Sequence, residues 1–271
     1  MPSKPKKKSS HPRLPRKRLM VAVANHVDYE LKCVRDYGLG CEVQVFGFPE
    51  YLSKDYTSAL GRMMKRMEAI KGPIGCHGPF IDMIHYSSDP EIMEVCRLRY
   101  LQSFDIAEAL GARYVLFHSQ YNPIIRVPVY ASLYHEYSLR FWPEILEEAE
   151  QRKIPVYVEN MFDDSPDPIC RVVEELDSPW FKLCLDVAHA EIHSDLDIGA
   201  WIDAYGDHLR HVHLNDCHGV LDDHLGLGQG VLDIPRALAK LADTGLPLTY
   251  ALETGKNTLA SLRYLRIPKL Q

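Results

Sequence analysis

The 271-residue sequence has no apolar run that approaches the roughly 18–20 residues of a membrane-crossing helix. Its basic start is not followed by an apolar segment and a cleavage site, so a secretory leader is not expected. Cys-x-x-Cys is also missing: the seven cysteines (33, 41, 76, 96, 170, 184 and 217) are scattered and odd in number. That pattern excludes a thiolate zinc site and a disulfide framework, and it fits a reducing, cytoplasmic setting. No dinucleotide fingerprint occurs. Gly226-Leu-Gly-Gln-Gly230 lacks the Lys-Ser/Thr that completes a phosphate loop and reads as a flexible connection. Positive charge is scarce after residue 18. The first 18 residues hold eight Lys/Arg and no acid, which leaves 23 Lys/Arg against all 37 Asp/Glu, a formal −14 over the body. Such a body is a poor partner for a polyanion. The basic tail, 1–18, could touch nucleic acid or serve as an address, but a short disordered arm is the default expectation.

Hydrophobic residues make up 46% of the chain, ample for a core, and one domain over 19–271 suits the length. From Leu19 onward, short β-rich runs alternate with longer helical patterns. The expected strands are Leu19–Asn25, Cys41–Phe46, Pro73–His77, Arg113–His118, Pro155–Glu159, Phe181–Asp186, Arg210–Leu214 and Leu248–Glu253. Helical patterns fall near 28–37, 54–71, 90–110, 130–152, 167–177, 196–206, 234–243 and 257–266. Gly38, Gly72, Gly111 and Gly245 lie just past four of them, where left-handed caps are needed. Eight strands, each followed by a helix, is the count that closes a (β/α)8 TIM barrel. The aromatic spacing Tyr130, Tyr134, Tyr137, Phe141 reads as helix packing.

The last residues of the runs carry the chemistry. They are Asn25, Phe46, His77, His118, Glu159, Asp186, His213 (next to last in its run) and Glu253, and six of the eight are His, Asp or Glu. Functional groups of a barrel stand at the C-terminal strand ends. Taken singly, His77 or His118 reads as a hydrogen-bonded structural histidine, and Glu159 or Glu253 as a solvated loop-edge acid. Six ionisable groups converging on one end of an apolar sheet require compensation, and a bound cation supplies it. The stretch 211–224 concentrates four histidines and three aspartates. His189, three residues past Asp186, and Asp222 with His224 are further ligand candidates.

On these residues the chain resembles the xylose isomerase-like barrel superfamily, which holds sugar isomerases and epimerases and also endonuclease IV (AP endonuclease family 2). The sugar 3-epimerases hold one divalent ion with Glu, Asp, His and Glu. The resemblance places these at Glu159 in Val-Glu-Asn, Asp186 in Leu-Asp-Val, His213 in His-Leu-Asn-Asp and Glu253 in Leu-Glu-Thr. Endonuclease IV holds three zinc ions with nine ligands. These fall on His77, His118, Glu159, Asp186, His189, His213, Asp222, His224 and Glu253, and all nine residue types agree. Phe80-Ile81 sits where the endonuclease inserts side chains into DNA. The chain departs from the endonuclease at Asp186-Val-Ala-His189, at Asn215-Asp216-Cys217, and at Phe46-Gly-Phe-Pro-Glu-Tyr, which has no amide or basic group.

The expected function is a divalent-metal-dependent (Zn, Mn, Co or Mg) isomerase or epimerase of a sugar or sugar phosphate. Glu159 and Glu253 would exchange protons next to a carbonyl, and His189 would hold a substrate oxygen. Phe46, Phe48 and Phe80 would wall the pocket. The alternative is an abasic-site phosphodiesterase with up to three zinc ions, which the ligand count favours and the acidic body opposes. A non-catalytic barrel is the third reading. Partners are expected to be a small sugar, with nucleic acid disfavoured, no membrane, and room for a homo-oligomer.

Overall fold

The computed structural model describes residues 12–53 and 55–270. Eight parallel strands close into a barrel in chain order, β1 pairing with β8. They are β1 (Leu19–Val23), β2 (Gly40–Val43), β3 (Ile74–His77), β4 (Val115–His118), β5 (Val156–Glu159), β6 (Phe181–Asp186), β7 (Leu209–Leu214) and β8 (Thr249–Leu252). The helices are α1 (Val27–Tyr37), α2 (Pro49–Leu52), α3 (Thr57–Met67), α4 (Pro90–Leu110), α5 (Tyr130–Arg152), α6 (Asp167–Leu176), α7 (Val187–His193), α8 (Ile198–Tyr205), α9 (Ile234–Asp243) and α10 (Thr258–Tyr264).

Every strand residue pointing outward meets the helical ring, and every one pointing inward meets the barrel axis. Val115 and Phe117 therefore join the large core with Tyr100, Phe104 and Trp142. Tyr114, Leu116, Met20, Cys184 and Ala251 form a separate cluster inside the barrel. Tyr134 and Phe141 pack on the outer core, so the aromatic run of α5 is structural.

Helix ends follow local chemistry. Asp89 caps α4 by accepting from Glu91 N, with Pro90 at the first turn, and Gly111 closes it at φ +66. Gly38 and Gly245 are likewise left-handed. Gly72 is not: it is required by close approach, because a Cβ there would lie 2.2 Å from the Leu39 carbonyl oxygen. Strands β1 and β2 stop before Asn25 and Phe46, the first lying in the following loop and the second in a short 3-10 turn, Val45–Gly47. Helix α7 follows Asp186 directly, in a stretch outside the helical patterns read near 167–177 and 196–206. The reason is that Asp186 caps it, accepting from Ala188 N and His189 N.

Residues 1–11 of the basic tail lie outside the described residues. Residues 12–18 pack on the body: Leu14 is buried and Arg16 donates to the Pro268 carbonyl. No helix among the described residues is long and apolar enough to cross a membrane. All seven cysteines are free and buried.

Candidate metal centre at the barrel mouth

Strand register brings the rim residues together. His118 pairs with Glu159, and Asp186 with His213. Glu253 follows β8 and donates its backbone N–H to Leu214 O. Ligand atoms of Glu159, Asp186, His213 and Glu253 lie within 4.8 Å of one another, and those of His77, His118 and Glu159 form a second such group. Glu159 is the shared member. Its Oε2 is 3.3 Å from His77 Nε2 and 3.5 Å from His118 Nε2, and its Oε1 is 3.1 Å from His213 Nδ1 and 3.3 Å from His189 Nδ1. A third group hangs on Asp222 Oδ2, which is 3.4 Å from His189 Nε2 and 3.0 Å from His224 Nε2. All nine expected ligands thus converge on one rim.

The histidine tautomers fit cation binding. A carbonyl oxygen only accepts, so the nitrogen facing it carries the hydrogen. Nδ1 of His77 donates to Gly78 O, that of His118 to Phe80 O, that of His189 to Asn160 O and that of His224 to Glu253 O. Each ring then turns Nε2 toward the carboxylates, the nitrogen it would offer to a cation once any second proton is displaced, and this is the arrangement by which a protein fixes a ligating imidazole. Glu253 Oε2 is buried without a hydrogen bond, although His213 Nδ1 is 2.8 Å away. One Asp186 oxygen caps α7, while Oδ2 accepts from Asn215 and faces the group.

Electrostatics agree. Burial opposes charge on His189 and His213, but Asp186, Asp222 and Glu159 around the first, and Glu159, Glu42 and Glu253 around the second, raise both well above the usual imidazole range. Burial is the largest influence on His224 and lowers it, but the Asp222 hydrogen bond and the charges of Glu253, Asp222 and Asp186 together raise it to about 10. The same negative field favours a bound cation. His118 is lowered to about 4, chiefly by burial, and so stays a neutral donor. The residue types and their free lone pairs fit a divalent ion of the zinc or manganese kind.

A cavity of about 390 Å³ opens above this rim. His118, His189, Asp222, His224 and Glu253 reach it, and Phe48, Phe80 and Met161 give it apolar wall. Phe48 and Phe80 meet edge to face with ring centroids 5.0 Å apart. Phe46 does not line it: it is buried in the core, edge-on to Tyr51. Glu159, only 1% exposed, lies beneath the rim and does not line the cavity either. The glycine-rich loop after β7 is pinned, not loose. Asp216 Oδ2 accepts from Gly228 N and Gly230 N, and Oδ1 from Leu232 N.

Several supporting residues were not anticipated. Asn160 accepts from Asp186 N and donates to Asp186 O, tying β5 to β6 behind the ligands. Asp163 is buried beside this shell. Its Oδ2 accepts from Ser119 Oγ and Met161 N, while Oδ1 has no partner. Burial pushes its carboxyl up to about 6. A raised acid stabilises the fold fully below its unfolded value, and that contribution is lost as pH rises through about 6. The loss is on the order of 3 kcal/mol by pH 7. Asp163→Asn is expected to flatten the corresponding slope in urea unfolding between pH 4 and 7. Parallel pH profiles for parent and variant would refute it.

Residues 34–267 match the model of the xylose isomerase-like TIM barrel family. A Thermus thermophilus protein, TTHB071, whose crystals were soaked with zinc chloride, superposes with a TM-score of 0.75 at 27% identity, covering 92% of this chain and 96% of that one. A D-tagatose 3-epimerase-like protein shares the fold at TM-score 0.75 and 19% identity, over 92% of this chain and 97% of its own. An uncharacterized protein of Methanocaldococcus jannaschii, MJ1311, is 25% identical over 210 residues, 75% of this chain and 70% of that one. With eight strands in barrel order, the match across most of that barrel leaves no ambiguity of descent: the chain belongs to the xylose isomerase-like TIM barrel family.

Proposed function

We propose that the chain is a divalent-metal-dependent isomerase or epimerase of a sugar or sugar phosphate. The observation that carries this reading is the pairing of the Glu159–Asp186–His213–Glu253 group with a cavity of monosaccharide scale directly above it. The fold shared with a D-tagatose 3-epimerase-like protein supports it, as does the −14 body, which disfavours a nucleic acid substrate.

Asp186, His213, Glu159 and Glu253 would hold the ion. When bound, it supplies a Lewis acid that polarises the substrate carbonyl and steadies the negative charge that develops. Glu253 faces the cavity and removes or returns the proton on the carbon next to that carbonyl. Glu159, enclosed by four imidazoles beneath the cavity, acts as the anchor of the ion from β5 and not as the second proton carrier expected from the sequence. His189 orients a substrate oxygen. Phe48 and Phe80 exclude water from the reacting carbon.

A second reading, the zinc phosphodiesterase acting at abasic sites, is favoured by one observation: the rim offers three ligand groups where a single ion needs one. Metal content per chain, measured with epimerisation of a ketose panel and incision of an abasic duplex, separates the two. Epimerisation without incision is expected. About three zinc ions with strand incision would overturn the isomerase reading.

Gly47 sets the Phe80 wall, since a Cβ there would sit 2.6 Å from Phe80 Cζ. Gly47→Ala is expected to push the ring into the cavity and raise KM about tenfold, with little change in unfolding midpoint. An unchanged KM would show that Phe80 does not touch substrate.

A further inference from the structure

Glu42 sits within β2, fully buried, with its side chain inside the barrel below the ligand rim. That interior is normally filled by branched aliphatics, and here Met20, Leu116, Cys184 and Ala251 pack there. Four side chains gather on the one carboxylate. Oε1 accepts from Gln44 Nε2 at 2.9 Å and lies 3.0 Å from His213 Nε2. Oε2 accepts from Tyr114 Oη at 2.6 Å and lies 3.1 Å from His211 Nε2. The His211 ring is itself fixed, its Nδ1 being 2.6 Å from Thr249 Oγ1. Gln44 Nε2 also donates to Glu253 Oε1 at 2.9 Å. One buried acid therefore touches one rim residue directly and a second through a single amide.

His213 differs from the other four rim histidines. They are fixed by main-chain carbonyls at Nδ1 and present Nε2. His213 presents Nδ1 to Glu159 and Glu253, and has no main-chain acceptor on Nε2. Its Nε2 faces only the Glu42 carboxylate, at an angle off the N–H line, so the contact acts through charge more than through a formed hydrogen bond.

We infer that Glu42 is a positioning residue for the metal centre. It keeps the His213 hydrogen on Nε2, leaves the Nδ1 lone pair free for the cation, and through Gln44 sets the angle of the Glu253 carboxylate. Once a cation takes the Nδ1 lone pair, the ring's one hydrogen lies on Nε2, where the Glu42 carboxylate, an acceptor only, stabilises it. In Glu42→Gln the side-chain oxygen stays with the Tyr114 hydroxyl, and the amide N–H turns toward His213 Nε2. An N–H facing that nitrogen favours its lone pair and drives the ring hydrogen to Nδ1, where it blocks the cation.

The inference rests on the rim holding a divalent ion, and zinc ion is the probe. Zinc affinity of the full chain is measured by competition with a chromophoric chelator, beside the unfolding midpoint of the chelated protein. Loss of an outer partner of this kind weakens metal binding by about 10–100-fold. Glu42→Gln is expected to do so while the metal-free midpoint moves by only a few degrees. Side-chain 15N spectra of the zinc-loaded parent should show His213 protonated at Nε2, and those of the variant should show that signal lost. Gln44→Leu, which leaves the Glu42–His213 contact in place, is expected to weaken zinc less and to keep the Nε2–H signal. It also reads the same chain of contacts if Glu42→Gln does not fold. Parent-like zinc affinity in both variants, or in the one that folds, overturns the inference alone. A parent that binds no zinc overturns it together with the metal-dependent reading.

Discussion

Glu159→Gln is expected to lower turnover at least about a thousandfold and to strip most of the bound metal. The substitution is nearly isosteric, so packing is preserved and the loss is chemical. Glu159 contacts His77 and His118 through one oxygen and His213 and His189 through the other. Burial would push its carboxyl up, but His213, His189 and His77 together hold it well below the ordinary range. It is thus a fixed negative charge at the junction of two ligand groups. A glutamine removes that charge and turns an N–H toward imidazole nitrogens whose lone pairs are meant for the cation. Metal content per chain and initial rates should fall together. Full activity in this variant would remove Glu159 from the mechanism.

Stripping the protein with a chelator is expected to abolish activity and to lower the unfolding midpoint, and zinc should restore both. At a free ion concentration one hundred times Kd the stabilisation is about 2.7 kcal/mol. For a chain of this length that is roughly 5–11 °C. The effect should depend on pH with a definite sign. Asp186, raised to about 6 chiefly by burial, must be ionised to bind, and His189, His213 and His224 must each surrender a proton. Protons therefore compete with the ion, and the zinc-induced shift should shrink as pH falls from about 10, more steeply once Asp186 is protonated below about 6. A midpoint indifferent to zinc, manganese and cobalt across that range would contradict a metal centre altogether.

Much of this was legible in the chain. Short β-rich runs ending on His77, His118, Glu159, Asp186 and Glu253 are local patterns, and a barrel converts their common position into convergence. Two local effects escaped notice. Strands β1 and β2 end early, so Asn25 is a loop residue and Phe46 belongs to a 3-10 turn. Asp186 serves as both helix cap and candidate ligand, so α7 starts in a stretch with no helical period of its own in the sequence pattern. The deeper omission is the support beneath the rim. Glu42 on β2 and Gln44 just past its end are two apart and fall to one side, but which side looks inward is fixed only when the barrel closes. A lone acid in the run Cys41-Glu-Val-Gln-Val was the available signal, because a charge in a parallel strand needs a partner. Its partners, Tyr114, His211 and His213, belong to strands on other sides of the barrel. Glu159 shows the converse. Its strand-end position suggested a group facing substrate, whereas the surrounding imidazoles roof it over.

Three of the rim imidazoles are latched to carbonyls of segments other than their own, at Phe80, Asn160 and Glu253. Any exchange of these segments for foreign sequence would detune the ring it holds. Diversification is left to stretches that bear no latch, such as 121–129, where Ile124 is 82% exposed, and 218–221, where Val220 is 75% exposed. Variation confined to those two arcs should leave the ion in place, and grafts across 79–81 or 159–161 should come back as ion-poor protein.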